Sequence, residues 1–305
     1  MATAAVVVTW EGGSATERCV ASLLAQDRPP AEIVVVDNAS SAAERERLCA
    51  ALGGTPRVRL LLLDRNRQFA GGLNTGAAAA LAAGADRLLL LNNDTVLARD
   101  ALRLLEDALA ATPDAGVAGP RVVDLASGAV ISAGERHSLP LLCVPRTLLR
   151  YRRRTDRPYR VRGVMGCALL VTRACFEAVG GLAEEIEVYY EDVDFCLGAA
   201  AHGFAAVVEP RAVVGHDGMR GFAAGLTPWA AYLKARNPWL VVRRRGRPWT
   251  WLVFVPVYGA LVATSALLWG TRGRGDVVRA LVRGAAAGLR AAAGGPLAPA
   301  GAPRG

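Results

Sequence analysis

Two short acidic stretches hold the groups best suited to chemistry in this 305-residue chain. In Leu88-Leu89-Leu90-Leu91-Asn92-Asn93-Asp94, an apolar run of strand length ends abruptly in two amides and a carboxylate. Open α/β sheets bind ligands outside the carboxyl ends of their strands, so this pattern puts an oxygen ligand where a metal-diphosphate would sit. In Tyr189-Tyr190-Glu191-Asp192-Val193-Asp194, three carboxylates fall within four residues, beside a stretch from Val193 to His202 that reads as a helix. A carboxylate fixed there is suited to act as a general base. The same acids have a plainer use, since negative charge favours a helix N-terminus, and Asp194 fits that role best.

The elements needed to position these groups are visible as a strand–helix rhythm. Residues 4–9, 32–37, 58–63 and 87–91 are strand-length and mostly apolar, and the segments 16–25, 42–52 and 72–83 between them carry helical spacing. That alternation implies a parallel sheet covered on both faces. A helix is expected over 99–111, with Leu102, Leu105 and Leu109 on one side and Pro113 as its stop. Residues 134–163 form a long connection dense in arginine: Arg146, Arg150, Arg152, Arg153, Arg154, Arg157, Arg160 and Arg162, with Asp156 among them. It reads as a solvated loop or as a contact for acceptor phosphates or lipid headgroups. Strand-like 167–171 precedes a helix capped by Thr172, and 207–214, interrupted by Pro210, reads as two short extended pieces leading to His216.

Hydrophobic residues make up 52% of the chain, enough for a sizeable core. The net charge of +9 is confined to the end: residues 243–305 contain ten arginines and one acid, Asp276, whereas residues 1–242 hold 26 basic and 26 acidic side chains. Six cysteines without a C-x-x-C pair signal neither a zinc cluster nor a disulfide framework, and a reducing, cytoplasmic compartment is the simpler reading. The first ten residues lack the basic and long apolar regions of a signal peptide and read as the first strand. Residues 250–270 are apolar over about 20 residues, the length of a bilayer crossing. Arginines flank this run on both sides, against a simple single crossing, and Pro256 and Gly259 open the alternatives of a shallow hairpin or an interfacial helix. A buried helix in the core or in a homodimer is the remaining option. Two units follow, 1–242 as catalytic domain and 243–305 as a basic and apolar membrane-association segment.

Five motifs in order resemble family-2 glycosyltransferases, and within them the rhamnosyltransferase-type branch: Val6-Val7-Val8-Thr9-Trp10, Val34-Val35-Val36-Asp37-Asn38-Ala39-Ser40, the stretch from Asn66 through Phe69-Ala70-Gly71-Gly72 to Asn74-Thr75-Gly76, Asn92-Asn93-Asp94, and Glu191-Asp192-Val193-Asp194. The match covers about residues 4–240. The resemblance implies a GT-A fold, a Rossmann-like, mostly parallel sheet with helices on both faces, to which the C-terminal membrane-associated helical tail is added. It also implies a nucleotide-diphosphate sugar donor, Mg²⁺ or Mn²⁺, and an inverting single displacement. Carried over by position, Thr9, Trp10 and Glu11 line the nucleotide pocket, and Asp37 accepts a hydrogen bond from a uracil or thymine ring N–H. Asn66, Gly71, Gly72, Asn74 and Asn93 approach nucleotide and sugar. Asp94 holds the metal, with His216 as a further ligand, Asp192 is the general base, and Glu191 lies on the acceptor side. Asn92-Asn93-Asp94 departs from an Asp-x-Asp pattern by carrying one carboxylate, so extra ligands are required.

Plainer roles stand beside these. Asp37-Asn38 suits a turn or helix cap, Phe69-Ala70-Gly71-Gly72 a tight turn, and His216 a structural residue. Tyr232, Arg236 and Asn237 resemble a helical motif of the branch and suit packing against the catalytic domain. A dinucleotide-binding dehydrogenase is disfavoured because Trp10-Glu11-Gly12-Gly13 stands where a G-x-G-x-x-G would follow the first strand. A nucleotidyltransferase and a noncatalytic membrane-bound scaffold remain as alternatives. The expected activity is transfer of a sugar, rhamnose first, from a dTDP- or UDP-sugar to a glycan or lipid-linked acceptor. The expected place is the cytoplasmic face of a membrane, held peripherally or by a single or hairpin anchor, and nucleic acid is not among the expected partners.

Overall fold

The computed structural model describes residues 1–142, 155–217 and 226–297. Arg146, Arg150, Arg152, Arg153 and Arg154 of the arginine-dense connection lie outside the described residues, as does Cys143. Strands β1 (Thr3–Thr9), β2 (Glu32–Asp37), β3 (Val58–Leu62) and β4 (Arg87–Asn92) run parallel in the order β3-β2-β1-β4. Their crossovers are α1 (Ser14–Leu24), α2 (Ala42–Leu52) and α3 (Gln68–Ala82).

Side chains alternate across a strand, and both faces here are covered, which is why the strands read as unbroken apolar runs. Ala5, Val7, Ile33 and Val35 pack with Val20 and Leu23 of α1, Leu48 of α2, and Leu102 and Leu105 of α4 (Ala101–Ala110). Their neighbours Ala4, Val6, Val8, Val34 and Val36 pack on the opposite face with Leu73 and Ala77 of α3. Helix α3 lies so close that a Cβ on Gly76 would come within 2.4 Å of Val6 Cγ1 and 2.7 Å of Val36 Cγ2.

Beyond β4 the sheet is mixed. It continues as β9 (Ala168–Thr172), β6 (Ala115–Asp124), β10 (Ala205–His216) and β5 (Thr95–Leu97), with β7 (Val130–Ser132) on β6 and β8 (Tyr159–Val161) on β10. Strand β9 is antiparallel to both β4 and β6, while β10 is parallel to β6. The reversal places the start of β9 against the end of β4. Where two extended pieces were expected over 207–214, β10 is one strand of 12 residues with a bulge: Glu209 pairs with Pro120 and Val213 with Arg121. Pro210, which has no N–H to give a ladder, falls in that bulge, so it bends the strand without ending it.

After β9 come α5 (Arg173–Val179), capped by the Thr172 hydroxyl as expected, and α6 (Glu191–Ala201). Three helices close the described chain: α7 (Pro228–Arg245), α8 (Pro248–Thr271) and α9 (Gly275–Ala292). The boundary placed at 242/243 falls inside α7. Pro256 does not fold 250–270 into a hairpin; α8 runs through it as one helix of 24 residues, the proline lying exposed. The five cysteines among the described residues are free thiols, and burial pushes Cys19, Cys175 and Cys196 up to about 12.

Candidate active site

The carboxyl ends of β1, β2 and β4 and the loop after β3 form one edge. At the end of β1, Trp10 is exposed, and the Thr9 and Thr16 hydroxyls lie 2.8 Å apart. Asn93 Nδ2 donates to both, at 3.3 and 3.1 Å. Gly12 passes directly over this trio: a Cβ there would fall 2.2 Å from Asn93 Nδ2 and 2.2 Å from Thr9 Oγ1. Thr9 and Asn93 thus form the floor of the β1 loop, and their polar atoms already serve one another. Glu11, at φ 50°, accepts from the Ser41 backbone N–H and hydroxyl and ties that loop to the start of α2.

Asp37 is fully buried, and its carboxylate receives Arg45 Nε at 2.8 Å and the Ser40 N–H at 3.3 Å. In this arrangement it anchors Arg45. Its neighbour Asn38, missed as a site residue, knits the edge together. It donates to Asn66 Oδ1 at 3.1 Å and to the Gln68 carbonyl at 2.9 Å, and accepts the Arg67 N–H at 2.8 Å. Asn66 also receives the Gln68 N–H at 2.8 Å. The tight turn expected at the glycines sits instead at Gln68, φ 58°. Gly71 and Gly72 are buried inside α3, where a Cβ on Gly72 would meet Val8 Cγ1 at 3.0 Å. The small size of Gly72 lets α3 approach β1, whereas a Cβ on Gly71 would meet Arg67 Cβ at 2.9 Å and Glu184 Oε2 at 3.3 Å.

At the end of β4, Asp94 lies beside His216, the last residue of β10, which pairs with Thr95 across β5. Asp94 Oδ1 and His216 Nε2 are 3.2 Å apart, yet Asp94 Oδ1 is buried without a hydrogen bond, and Asn92 Nδ2 stands 3.3 Å from the same ring nitrogen. Asp94 and His216 stand at ion-pairing distance, and a carboxylate oxygen and an imidazole nitrogen are also groups that a divalent cation takes as ligands. No group of three or more His, Cys, Asp or Glu converges among the described residues. The protein would therefore give two ligands to a hard six-coordinate ion, leaving the others to diphosphate oxygens and water, and these residues fit such an ion.

The second acidic motif reaches the same edge through β9. The Gly166 N–H donates to Asp192 Oδ2 at 2.8 Å, and the adjacent Cys167 carbonyl accepts the Asn92 N–H at 3.1 Å. Asp192 and Glu191 begin α6, 3% and 6% exposed. Burial, with the nearby Glu191 charge, raises the Tyr189 phenol above its ordinary value.

A strap, residues 182–190, delivers them. Three of its non-glycine residues, Glu187, Tyr189 and Tyr190, have φ of 67°, 63° and 75°. On one side α3 holds it: Asn74 brackets Leu182, giving Nδ2–H to its carbonyl at 2.8 Å and accepting its N–H at 2.9 Å, while Arg67 pairs with Glu184 at 3.0 Å. Asn74, expected near the donor sugar, is a clip for this strap. On the other side Arg236, 1% exposed, pairs with Glu187 at 2.8 Å, and Asn237 donates to the Ile186, Val188 and Tyr189 carbonyls at 2.8, 2.8 and 2.9 Å. Arg243 and Arg244 pair with Glu185, at 2.5 and 3.0 Å. Asp194, 1% exposed, is not merely a helix-terminus charge: it pairs with Arg244 at 3.2 Å and Arg245 at 2.9 Å. The expected packing role of Arg236 and Asn237 is therefore directed at the segment that carries Asp192.

An open α/β sheet with Asp94 at a strand end and Glu191, Asp192 and Asp194 at a helix start is the architecture of a GT-A-type glycosyltransferase. The chain belongs to glycosyl transferase family 2, whose model matches residues 4–180, and it is rhamnosyltransferase-like. It is similar to the N-acetylglucosaminyl-diphospho-decaprenol L-rhamnosyltransferase of Mycobacterium tuberculosis, 29% identical over 252 residues that cover 76% of this chain and 80% of that one. The dTDP-rhamnosyl transferase RfbF of Shigella flexneri is 22% identical over 226 residues, 71% of this chain and 72% of that one. In fold it is similar to the mannosyltransferase PcManGT of Pyrobaculum calidifontis, solved with GDP-Man and Mn²⁺, at a TM-score of 0.58 and 20% identity, covering 96% of this chain and 77% of that one.

Proposed function

We propose that this glycosyltransferase moves rhamnose from a dTDP- or UDP-linked donor to a lipid-linked glycan, inverting the sugar in a single displacement. The observation that carries this reading is the junction of the two acidic motifs: one backbone step, Gly166 to Cys167, links Asp192 to the strand end that bears Asp94. Two carboxylates at one edge support a reading of one as base and the other as partner of the diphosphate. The donor class and lipid-borne acceptor follow the names of the mycobacterial and Shigella relatives.

In this reading Asp192 takes the proton of the acceptor hydroxyl as the new bond forms. Gly166 N–H orients its carboxylate, and Glu191 faces the acceptor. Trp10, Glu11 and the Thr9–Asn93 floor meet the nucleotide, and Asp37 meets its base. Asp94 and His216 hold Mg²⁺ or Mn²⁺. When bound, such an ion neutralises charge on a departing nucleoside diphosphate.

The test is incubation with dTDP-rhamnose, with UDP-sugars in parallel, Mg²⁺ or Mn²⁺, and a polyprenyl-diphosphate-linked N-acetylglucosamine. Release of nucleoside diphosphate together with an acceptor heavier by one deoxyhexose supports the proposal. Pyrophosphate release from a nucleoside triphosphate identifies a nucleotidyltransferase instead, and absence of any turnover favours a scaffold.

A further inference from the structure

Helix α8 buries one side only. Thr250, Phe254 and Tyr258 are buried, the last two against Trp239 of α7 at ring-centroid separations of 5.2 and 5.1 Å, and the Tyr258 hydroxyl donates to the Ala235 carbonyl at 2.6 Å. On the other side Leu252, Val255 and Leu267 are 78%, 45% and 70% exposed. With a mean hydropathy of 1.9 over its most apolar window, α8 is long and apolar enough to cross a bilayer. Contiguous exposed apolar surface of this kind marks an interaction face.

Both ends of α8, however, are tied to the same body. Its start follows the end of α7 after Gly246 and Arg247. At its far end Trp269 packs on the cluster formed by Ala231 and Ala235 of α7 with Val277 and Leu281 of α9. Just beyond, an Arg274 guanidinium N–H donates to the Leu226 carbonyl at 3.3 Å. Helix α9 then returns along α7 in backbone contact, since a Cβ on Gly284 would lie 2.2 Å from the Tyr232 carbonyl oxygen. A crossing would require Trp269 and α9 to be pulled off α7 and would carry Arg272 and Arg274 through hydrocarbon.

Charge identifies the occupant. Arg247 and Arg272 stand exposed at the two ends of α8, and Arg279, Arg283 and Arg290 stand exposed on α9. The one acid after residue 242, Asp276, is paired with Arg274 at 3.0 Å. An apolar strip with an exposed arginine at each end, and three more exposed on the helix that follows, matches the hydrocarbon and anionic headgroup layers of a membrane face. We propose that α8 docks lengthwise in one leaflet of an anionic membrane and does not cross it. This rests on the reading of a membrane-borne acceptor, and it adds that the anchor is monotopic, with every exposed arginine of the tail on the same side.

The test uses the full-length protein and vesicles of phosphatidylcholine with or without phosphatidylglycerol. Flotation with the anionic vesicles is expected, and Leu252→Glu with Leu267→Glu should lower the floated fraction roughly tenfold while soluble donor hydrolysis is unchanged. Fluorophores at Leu252→Cys, Ala260→Cys and Leu267→Cys in a Cys49→Ser, Cys143→Ser background should then be quenched equally by headgroup-level nitroxide lipids. Thr271→Cys should stay open to an impermeant maleimide outside the vesicles. A profile deepest at Ala260→Cys with Thr271→Cys protected would overturn lengthwise docking and leave the membrane reading standing. Absence of flotation would overturn both; a solution dimer dispersed by the glutamate variant would then assign the face to a second copy of the chain.

Discussion

Asp192 is held by a backbone N–H in front and delivered by a strap behind, and the strap is the costly part. A non-glycine residue in the left-handed region costs of order 1–3 kcal/mol, and Glu187, Tyr189 and Tyr190 all lie there. The hydrogen bonds from Arg236 and Asn237 to the strap offset that cost. Asn237→Ala removes the two amide N–H groups that serve the Ile186, Val188 and Tyr189 carbonyls, and a buried carbonyl left unpaired costs about 1–3 kcal/mol. The substitution should lower the melting temperature and reduce kcat while donor affinity measured by calorimetry stays unchanged; an unaltered kcat would remove Asn237 from the positioning of the base. At the Asp94–His216 pair, proposed to hold the metal, Asp94→Ala and His216→Ala should each weaken the Mn²⁺-dependent part of donor binding, again read by calorimetry. If His216→Ala keeps the wild-type metal dependence, the histidine is structural. The positions of Asp94 after a strand and Asp192 at a helix start were legible in sequence because each sits where an element changes type. The hold of Asn74 on Leu182 was not legible because the two are 108 residues apart, and Gly166 carried no local signal of its contact with Asp192.

At the scale of elements, glycines divide into two kinds that sequence alone did not separate. Gly76 and Gly72 let α3 approach β1, and Gly12 lets the β1 loop cross the Thr9–Thr16–Asn93 trio. Gly76→Ala should cost about 1–3 kcal/mol by overpacking, visible in thermal unfolding with donor affinity unchanged. Gly12→Ala should instead weaken donor binding, because its Cβ displaces the floor of the nucleotide loop. Equal effects of the two substitutions on donor affinity would contradict that division. The parallel half, β3-β2-β1-β4 with α1 to α3, was readable because each strand is apolar on both faces and each helix fills the crossover. The mixed half was not, since the direction of β9 depends on pairing with β4 rather than on its own residues. The bulge in β10 was misread as a break because Pro210 signals lost pairing without saying for how many residues.

Across the whole molecule, charge is segregated, but the boundary between catalytic body and tail is not where the composition changes. Arg243, Arg244 and Arg245 belong to the excess of positive charge, yet they neutralise Glu185 and Asp194 beside Asp192. Removing the partners of a buried charge typically costs about 3–5 kcal/mol. Deletion of residues 243–305 should therefore abolish soluble donor hydrolysis and lower thermal stability, besides removing the membrane-facing helices. Retention of wild-type hydrolysis by that truncation would show that Arg243, Arg244 and Arg245 do not support the site.

The central claim is that Asp192, joined through Gly166 and Cys167 to the strand end bearing Asp94, is the base of sugar transfer. Its most direct test is the transfer rate of Asp192→Asn, measured at saturating donor and acceptor alongside donor affinity and melting temperature. The amide keeps an oxygen for the Gly166 N–H but cannot accept the acceptor proton, so transfer should fall about 10²-fold or more with affinity and stability intact. Turnover near the wild-type rate would contradict the account and move the search for the base to Glu191.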